Sequence, residues 1–285
     1  MLRFGIRMAS TATQKPWRFA PLGKPAAPSS GPTRKLEGIV FDVDGTLWQT
    51  KKQKANPSSE PQTYMFREMR AALSIPPTTD ILEHVYSLPT PAAQAEAMER
   101  IRAIERAAVA SQVAQPGLAP LMAYLDARGV RKGICTRNFD LPVRSLLDKF
   151  LAGHVFAPIV TRDFRPPKPD PAGILHIARS WGLVRRSAGE DGVPAAEGEE
   201  AARQAGGEAG ADGLVPTEKG EEVADASGLI MVGDSVDDIT AGKRAGAKTV
   251  LLVNDVNRHL AEHEHTDLVI SRLDELIDVL DQGLL

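Results

Sequence analysis

The feature that most constrains this chain is a short apolar run closed by two acids, Gly38-Ile39-Val40-Phe41 followed by Asp42-Val43-Asp44-Gly45-Thr46-Leu47. So short and so apolar a run reads as a strand buried on both faces, the habit of strands in a parallel sheet covered by helices. Five further runs share this character: Arg131 to Thr136, Pro158 to Thr161, Leu229 to Val232, Thr249 to Val253 and Asp267 to Ile270. Helical patterns separate them, at Leu118 to Arg128 before Gly129, in the stretch that ends at Gly246, and at Leu273 to Leu280. Strands alternating with helices predict an α/β chain with a Rossmann-like, doubly wound parallel sheet.

Residues 50–115 break the rhythm. Helical stretches are expected at Thr63 to Leu73, Thr79 to Tyr86 and Pro91 to Val113, with no strand between them. In the last of these, Ala95, Met98, Ile101, Ile104 and Ala108 recur near helical spacing, with Glu105 between turns. An α-helical insert after the first strand would stand above the carboxyl ends of the sheet, as a cap or lid.

Ligands of open parallel sheets bind at the carboxyl ends of the strands, near the point where strand order reverses. The polar residues there are Asp42 and Asp44 after the first strand, Thr136, Arg137 and Asn138 after the second, Lys168 beyond the third, and Asp234, Asp237 and Asp238 after the fourth. Asp42 and Asp44 are two apart, so in extended geometry both carboxylates point one way, and Gly45 permits a sharp turn after them. A divalent cation would relieve their repulsion, and hard oxygen ligands suit Mg²⁺. A calcium loop does not fit, since Thr46 and Gln53 stand where acids are needed. Taken alone, the pair could equally end a strand and cap a turn.

The four strand ends together resemble the motifs of the haloacid dehalogenase (HAD) superfamily. Asp42-Val43-Asp44-Gly45-Thr46 resembles the first, Gly133-Ile134-Cys135-Thr136 the second, and Lys168 in Arg165-Pro166-Pro167-Lys168-Pro169 the third. Val232-Gly233-Asp234-Ser235-Val236-Asp237-Asp238 with Ala241-Gly242-Lys243-Arg244-Ala245-Gly246 resembles the fourth. The likeness covers residues 37–186 and 227–285 and lies nearest the phosphoglycolate phosphatase and beta-phosphoglucomutase branch, with a small helical cap. It implies that Asp42 attacks phosphorus and that Asp44 serves as general acid and base. It also implies Mg²⁺ as cofactor, held by Asp42, Asp44 through its carbonyl, Asp234 and Asp238, with Thr136, Arg137, Asn138 and Lys168 on the phosphate. Of the last two acids only Asp238 has the family spacing from Asp234, and Asp237 reads as a solvated first-turn acid. Family members often carry Asn directly after the Thr of the second motif, whereas Arg137 intervenes here. Arg137 would contact an anionic group of the substrate or point to solvent, and Arg162 and Arg165 raise the same question.

Composition sets the organisation around this core. Residues 1–36 hold Arg3, Arg7, Lys15, Arg18, Lys24, Arg34 and Lys35, five prolines and no acid, which reads as a disordered basic tail or a mitochondrial presequence. Residues 187–226 carry eleven acids against Arg203 and Lys219, and few large apolar side chains, so a disordered acidic insertion is expected there. The expected organisation is thus a tail at 1–36, a core at 37–49 and 116–285 interrupted at 187–226, and a cap at 50–115. The net charge of −3 hides these opposed zones and leaves a nearly neutral body, unlike a nucleic-acid-binding field. No apolar run is long enough to span a bilayer. The one cysteine, Cys135, reads as a buried strand residue and fits a reducing compartment. His259, His263 and His265 read as a solvated helix. The expectation is a soluble, cytoplasmic monomer acting on a small phosphorylated metabolite, with no nucleic acid or membrane partner, or a mitochondrial matrix protein if the start is a presequence.

Asp44 narrows the function. Carbon–halogen hydrolases of the superfamily lack an acid at its place and ion-pumping ATPases carry Thr there, so the resemblance implies phosphoryl chemistry with water as acceptor. The resulting expectation is a Mg²⁺-dependent phosphatase working through an aspartyl phosphate. The alternatives are an intramolecular sugar phosphomutase of the beta-phosphoglucomutase type and an inactive interaction scaffold using the acidic insertion.

Overall fold

A computed structural model describes residues 18–23, 33–50, 63–186 and 222–283. Its centre is a six-stranded parallel sheet of β3 (Gly38–Phe41), β6 (Arg131–Cys135), β7 (Ile159–Val160), β10 (Leu229–Gly233), β11 (Lys248–Leu252) and β12 (Leu268–Ile270). The order across it is β12-β11-β10-β3-β6-β7. The chain winds outward from β3 through β6 to β7, then crosses back to β10 and winds the other way. Strand order therefore reverses at β3, and the carboxyl ends of β3, β6 and β10 meet at one crevice. All six strands expected from the sequence are present, in a doubly wound α/β sheet.

Alternation along the strands divides the core in two. Ile39, Phe41, Ile134, Ile230 and Val232 face one layer with Leu121, Met122 and Leu125 of α4 (Leu118–Ala127) and Leu276 and Leu280 of α8 (Glu275–Gln282). Val40, Cys135 and Met231 face the other, against Ile174, Ile177 and Ala178 of α6 (Ala172–Ser180) and Ala241 and Ala245 of α7 (Val236–Ala245). Cys135 is the buried strand residue the sequence suggested, and burial pushes its thiol up to about 12, which leaves it unreactive.

Between β3 and β6 lie α1 (Thr63–Leu73), α2 (Ile81–Ser87) and α3 (Pro91–Val109). Asp80 caps α2, accepting from the backbone N–H groups of Leu82 and Glu83 at 2.9 Å, and Thr90 caps α3. The helical pattern expected to run from Pro91 to Val113 ends at Val109, and this region, expected to hold no strand, holds two. These, β4 (Trp48–Thr50) and β5 (Gln112–Ala114), pair antiparallel, so the chain enters and leaves the helical insert side by side.

The expected tails differ from the structure where it is described. Residues 1–17 and 24–32 lie outside the described residues, but β1 (Arg18–Phe19) pairs with β2 (Thr33–Arg34), and Phe19 is fully buried in the core. Leu22 donates its N–H to the Leu280 carbonyl at 2.8 Å. One aromatic side chain with a core pocket suffices to order a stretch whose average composition is that of a tail. The expected acidic insertion at 187–226 likewise overlaps described structure at its carboxyl end. Residues 187–221 lie outside the described residues, while β8 (Val184–Arg186) and β9 (Glu222–Ala224) form an antiparallel pair with Val223 and Ala226 buried. The pair leads into the amino end of β10, away from the crevice. Instead of one solvated α-helix, His259 lies in a short 3₁₀ turn at Arg258–Glu262 and His263 and His265 follow it, with His265 Nδ1 3.0 Å from the Thr240 hydroxyl. Among the described residues no helix is long and apolar enough to cross a membrane.

Candidate active site

The crevice is built by strand ends. Asp42 leaves β3 with its N–H bonded to the Val232 carbonyl at 2.9 Å, and Gly45, at a φ of 74°, turns the chain back at once. The left-handed backbone is what Gly45 is needed for. Asp42 and Asp44 are both buried at the floor of the crevice. Lys168 arrives from the proline-rich loop after β7, its head 2.7 Å from Asp42 Oδ1 and 2.5 Å from Asp238 Oδ1. Asp238 sits in the first turn of α7 and completes a capping box with Ser235. Asp234, at the end of β10, has its carbonyl held by the Asn257 amide at 2.7 Å. Asp42, Asp234 and Asp238 each offer a carboxylate oxygen within 4.8 Å of the others, and all three are buried.

Burial governs the charges. It pushes Asp42 up to about 7, reinforced by Asp238 and opposed by Lys168. Asp234 is raised well above the ordinary carboxylate range by burial and then by Asp42 and Asp238. Burial would lower Lys168, but Asp238 and Asp42 outweigh it and hold the ammonium charged. Asp44 is pushed up to about 6 by burial, against the amide of Asn138, which donates to its Oδ1 at 2.7 Å. Asn138 also donates its N–H to the Thr136 hydroxyl at 3.2 Å, so one turn after β6 positions both residues.

Arg137 reaches away from the floor. It donates to Asp80 of the helical insert and to Asp237 of α7, each at 2.6 Å. Asp237 is accordingly a paired, largely covered acid and not the solvated one its first-turn position suggested. Arg162 is buried, donating through Nε to the Arg137 carbonyl at 2.6 Å and through its fork to buried Glu105 of α3. Arg165 stacks over the Tyr86 ring with 3.4 Å between guanidinium carbon and ring centre. Three arginines thus tie the core to the insert.

The sequence reading missed Asp80, Glu105 and Arg70. A signal existed for two of them: Asp80 precedes the first apolar turn of α2, as an N-cap does, and Glu105 falls on the stripe Ala97, Ile101, Ala108, where an acid needs a partner. Asp80 and Arg70 line a cavity of about 240 Å³ between the insert and the core. Core residues Asp42, Asp44, Thr136, Arg137, Asn138 and Lys168 line one part of it, and Phe66, Met69, Arg70, Asp80, Ile81 and Leu82 of the insert line another.

Comparison with known proteins shows the family. The family model for haloacid dehalogenase-like hydrolases matches residues 36–202, and a HAD-hydrolase-like model matches residues 200–276. An uncharacterized hydrolase of Saccharomyces cerevisiae is 34% identical over 251 residues, covering 87% of this chain and 91% of its own. Phosphoglycolate phosphatase 1 of Pseudomonas aeruginosa is 28% identical over 171 residues, covering 59% of this chain and 47% of its own. A haloacid dehalogenase-like hydrolase of Bacteroides fragilis superposes with a TM-score of 0.57 at 17% identity, covering 85% of this chain and all of its own, which shows the shared fold. The chain belongs to the haloacid dehalogenase-like hydrolase family.

Proposed function

We propose that this hydrolase is a Mg²⁺-dependent phosphatase of small organic phosphate monoesters, with Asp42 as nucleophile. The observation that carries the reading is the junction of Asp42, Lys168 and Asp238 at the floor of a small cavity between the strand ends and the helical insert. Three buried carboxylates against one lysine leave negative charge that a divalent cation would balance, and a donor set made only of oxygen fits Mg²⁺. Asp42, Asp234 and Asp238, with the Asp44 carbonyl, would hold the ion. Bound there, it would offset the repulsion between a carboxylate nucleophile and an anionic phosphate.

The chain's own groups then do the rest. Asp42 attacks phosphorus while the ester P–O bond breaks, giving an aspartyl phosphate and an alkoxide that takes the proton of Asp44. Burial supports Asp44 in this role, since an acid raised to about 6 keeps a usable fraction of its proton near neutrality. Asp44 next takes a proton from water, which attacks the aspartyl phosphate and frees Asp42. Lys168, Thr136 and the N–H groups after β6 stabilise the phosphoryl oxygens, where charge is greatest. Asn138 orients Asp44, and Arg137 acts mainly by tying the insert to the core. The helical residues within 50–115 serve as the cap, closing the cavity against bulk water. The Pseudomonas relative's name, phosphoglycolate phosphatase, favours a small substrate.

Phosphate release from an aryl phosphate with and without Mg²⁺, by the wild type and Asp42→Asn, tests this. The expected result is Mg²⁺-dependent release lost by about 10³-fold or more in the variant. Equal rates would discard Asp42 as nucleophile, and a hexose 1-phosphate turned into its 6-phosphate with little free phosphate would replace hydrolysis by mutase chemistry.

A further inference from the structure

We propose that Arg70 binds a second anionic group of the substrate, so that the molecule turned over carries a carboxylate or a second phosphate besides the phosphoryl group that reacts. This deepens the phosphatase reading and rests on it. Four cationic side chains line the cavity: Arg70, Arg137, Arg162 and Lys168. Three are already matched by acids. Lys168 is held by Asp42 and Asp238, Arg137 by Asp80 and Asp237, and Arg162 by Glu105. Arg137, the cation next in sequence to the phosphate-binding turn, is therefore already engaged.

Arg70 differs. Among the described residues its one hydrogen bond runs from Nε to the Thr79 carbonyl, at 3.2 Å, and no acid pairs with it. Both terminal amino groups, four N–H donors in a planar fork, are left for an acceptor that the described protein does not supply. The Nε bond fixes the plane of the guanidinium in advance, so less side-chain freedom is lost when an anion binds. Phe66, Met69 and Leu82 line the cavity beside it and lower the local dielectric, which strengthens a charge-assisted pair. The matched pairs cancel, so among the described residues the positive charge that the insert presents to the cavity is that of Arg70. A cavity of about 240 Å³ suits a ligand with a few carbons between its two anionic groups.

Calorimetric titration of the wild type in excess Mg²⁺ tests this with three phosphonates that cannot be hydrolysed. 3-Phosphonopropionate carries a second carboxylate, 1,2-ethylenediphosphonate a second phosphonate, and propylphosphonate neither. At least one two-anion ligand is expected to bind tenfold or more tightly than propylphosphonate, and the better one identifies the second group. Arg70→Gln is expected to reduce that preference by about 10- to 100-fold, the range for losing a charge-assisted hydrogen-bonded pair. If Arg70→Gln melts early, Arg70→Lys, which keeps the charge without the planar fork, is expected to lose at least threefold of the preference. Equal binding of all three ligands, no binding, or a preference untouched by either folded variant would overturn the proposal. Phosphate release from monoesters is read separately, so failure of the second-anion site and failure of the phosphatase reading are distinguishable.

Discussion

The Arg137 guanidinium lies 2.6 Å from the Asp80 carboxylate, so a residue at the end of β6 is tied to the N-cap of α2. Asp80 therefore serves two masters, the helix and the link to the core. Asn caps helices about as well as Asp but brings no charge. Asp80→Asn is expected to change stability by less than about 1 kcal/mol, as both partners are roughly one-third exposed, and to raise KM severalfold by loosening the link. Asp80→Ala loses the cap as well and should cost about 1 kcal/mol more. Urea denaturation and steady-state kinetics check both, and an unchanged KM in Asp80→Asn would remove any role of the pair in closing the cavity.

Among the described residues Lys168 is the one lysine that lines the cavity, and it bonds the proposed nucleophile directly. Lys168→Met keeps the aliphatic stem and removes the charge. The expected loss in kcat/KM is about 10³-fold, in line with removal of a preorganised group that stabilises developing charge. A loss under tenfold would make Lys168 only a counter-ion for folding, which a rise in melting temperature on adding Mg²⁺ would then compensate.

Metal-free protein should lose stability as pH rises through the range from about 4 to about 7. Asp42 and Asp44 release their protons near 3.8 in the unfolded chain but near 7 and 6 in the fold, and burial raises Asp234 well above its ordinary range as well. Over that window the unfolded chain binds fewer protons than the fold, which makes the slope of stability with pH negative. A bound divalent cation favours the ionised carboxylates and reverses the effect, so the Mg²⁺-induced rise in melting temperature should be larger at pH 8 than at pH 5. Thermal melts across pH, with EDTA or with Mg²⁺, read this directly, and a metal shift independent of pH would contradict it.

The strands and the floor of the site were legible in the sequence because both obey local rules. A parallel strand buried on both faces is a continuous apolar run, and a polar residue at its end stands at the crevice wherever the strand lies in the sheet. Asp42, Thr136 and Asp234 could be placed that way, and Lys168 by its isolation in a proline-rich loop. What was illegible depends on partners distant in sequence. Glu105 meets Arg162 across 57 residues, Arg137 meets Asp237 across 100, and nothing local distinguishes such residues from solvated charges. Phe19 and the β4–β5 pair were missed for the same reason, since a two- or three-residue strand carries too little periodicity to register.

Glu105 and Arg162 offer the sharpest stability test, being nearly inaccessible and paired across the boundary between α3 and the loop after β7. Burial raises Glu105, and Arg162 is the foremost group opposing that rise, ahead of Arg102 and Arg106. Replacing one member leaves the other charge buried without its counterpart, a loss that typically costs about 3 to 5 kcal/mol, whereas replacing both removes the desolvation cost along with the attraction. Glu105→Gln is expected toward the lower end, because Arg162 keeps its bond to the Arg137 carbonyl and its contact with the Phe139 ring. Glu105→Gln with Arg162→Met should be no less stable than the worse single variant, giving a coupling energy of about 2 kcal/mol or more in a double-mutant cycle. Because the Arg162 backbone N–H also bonds the Asn138 carbonyl at 2.8 Å, the single variants should disturb the turn that positions Asn138 on Asp44 and lower kcat more than they raise KM. Simple additivity of the two substitutions, with kcat unchanged in each, would show that the pair neither holds the insert nor supports the site.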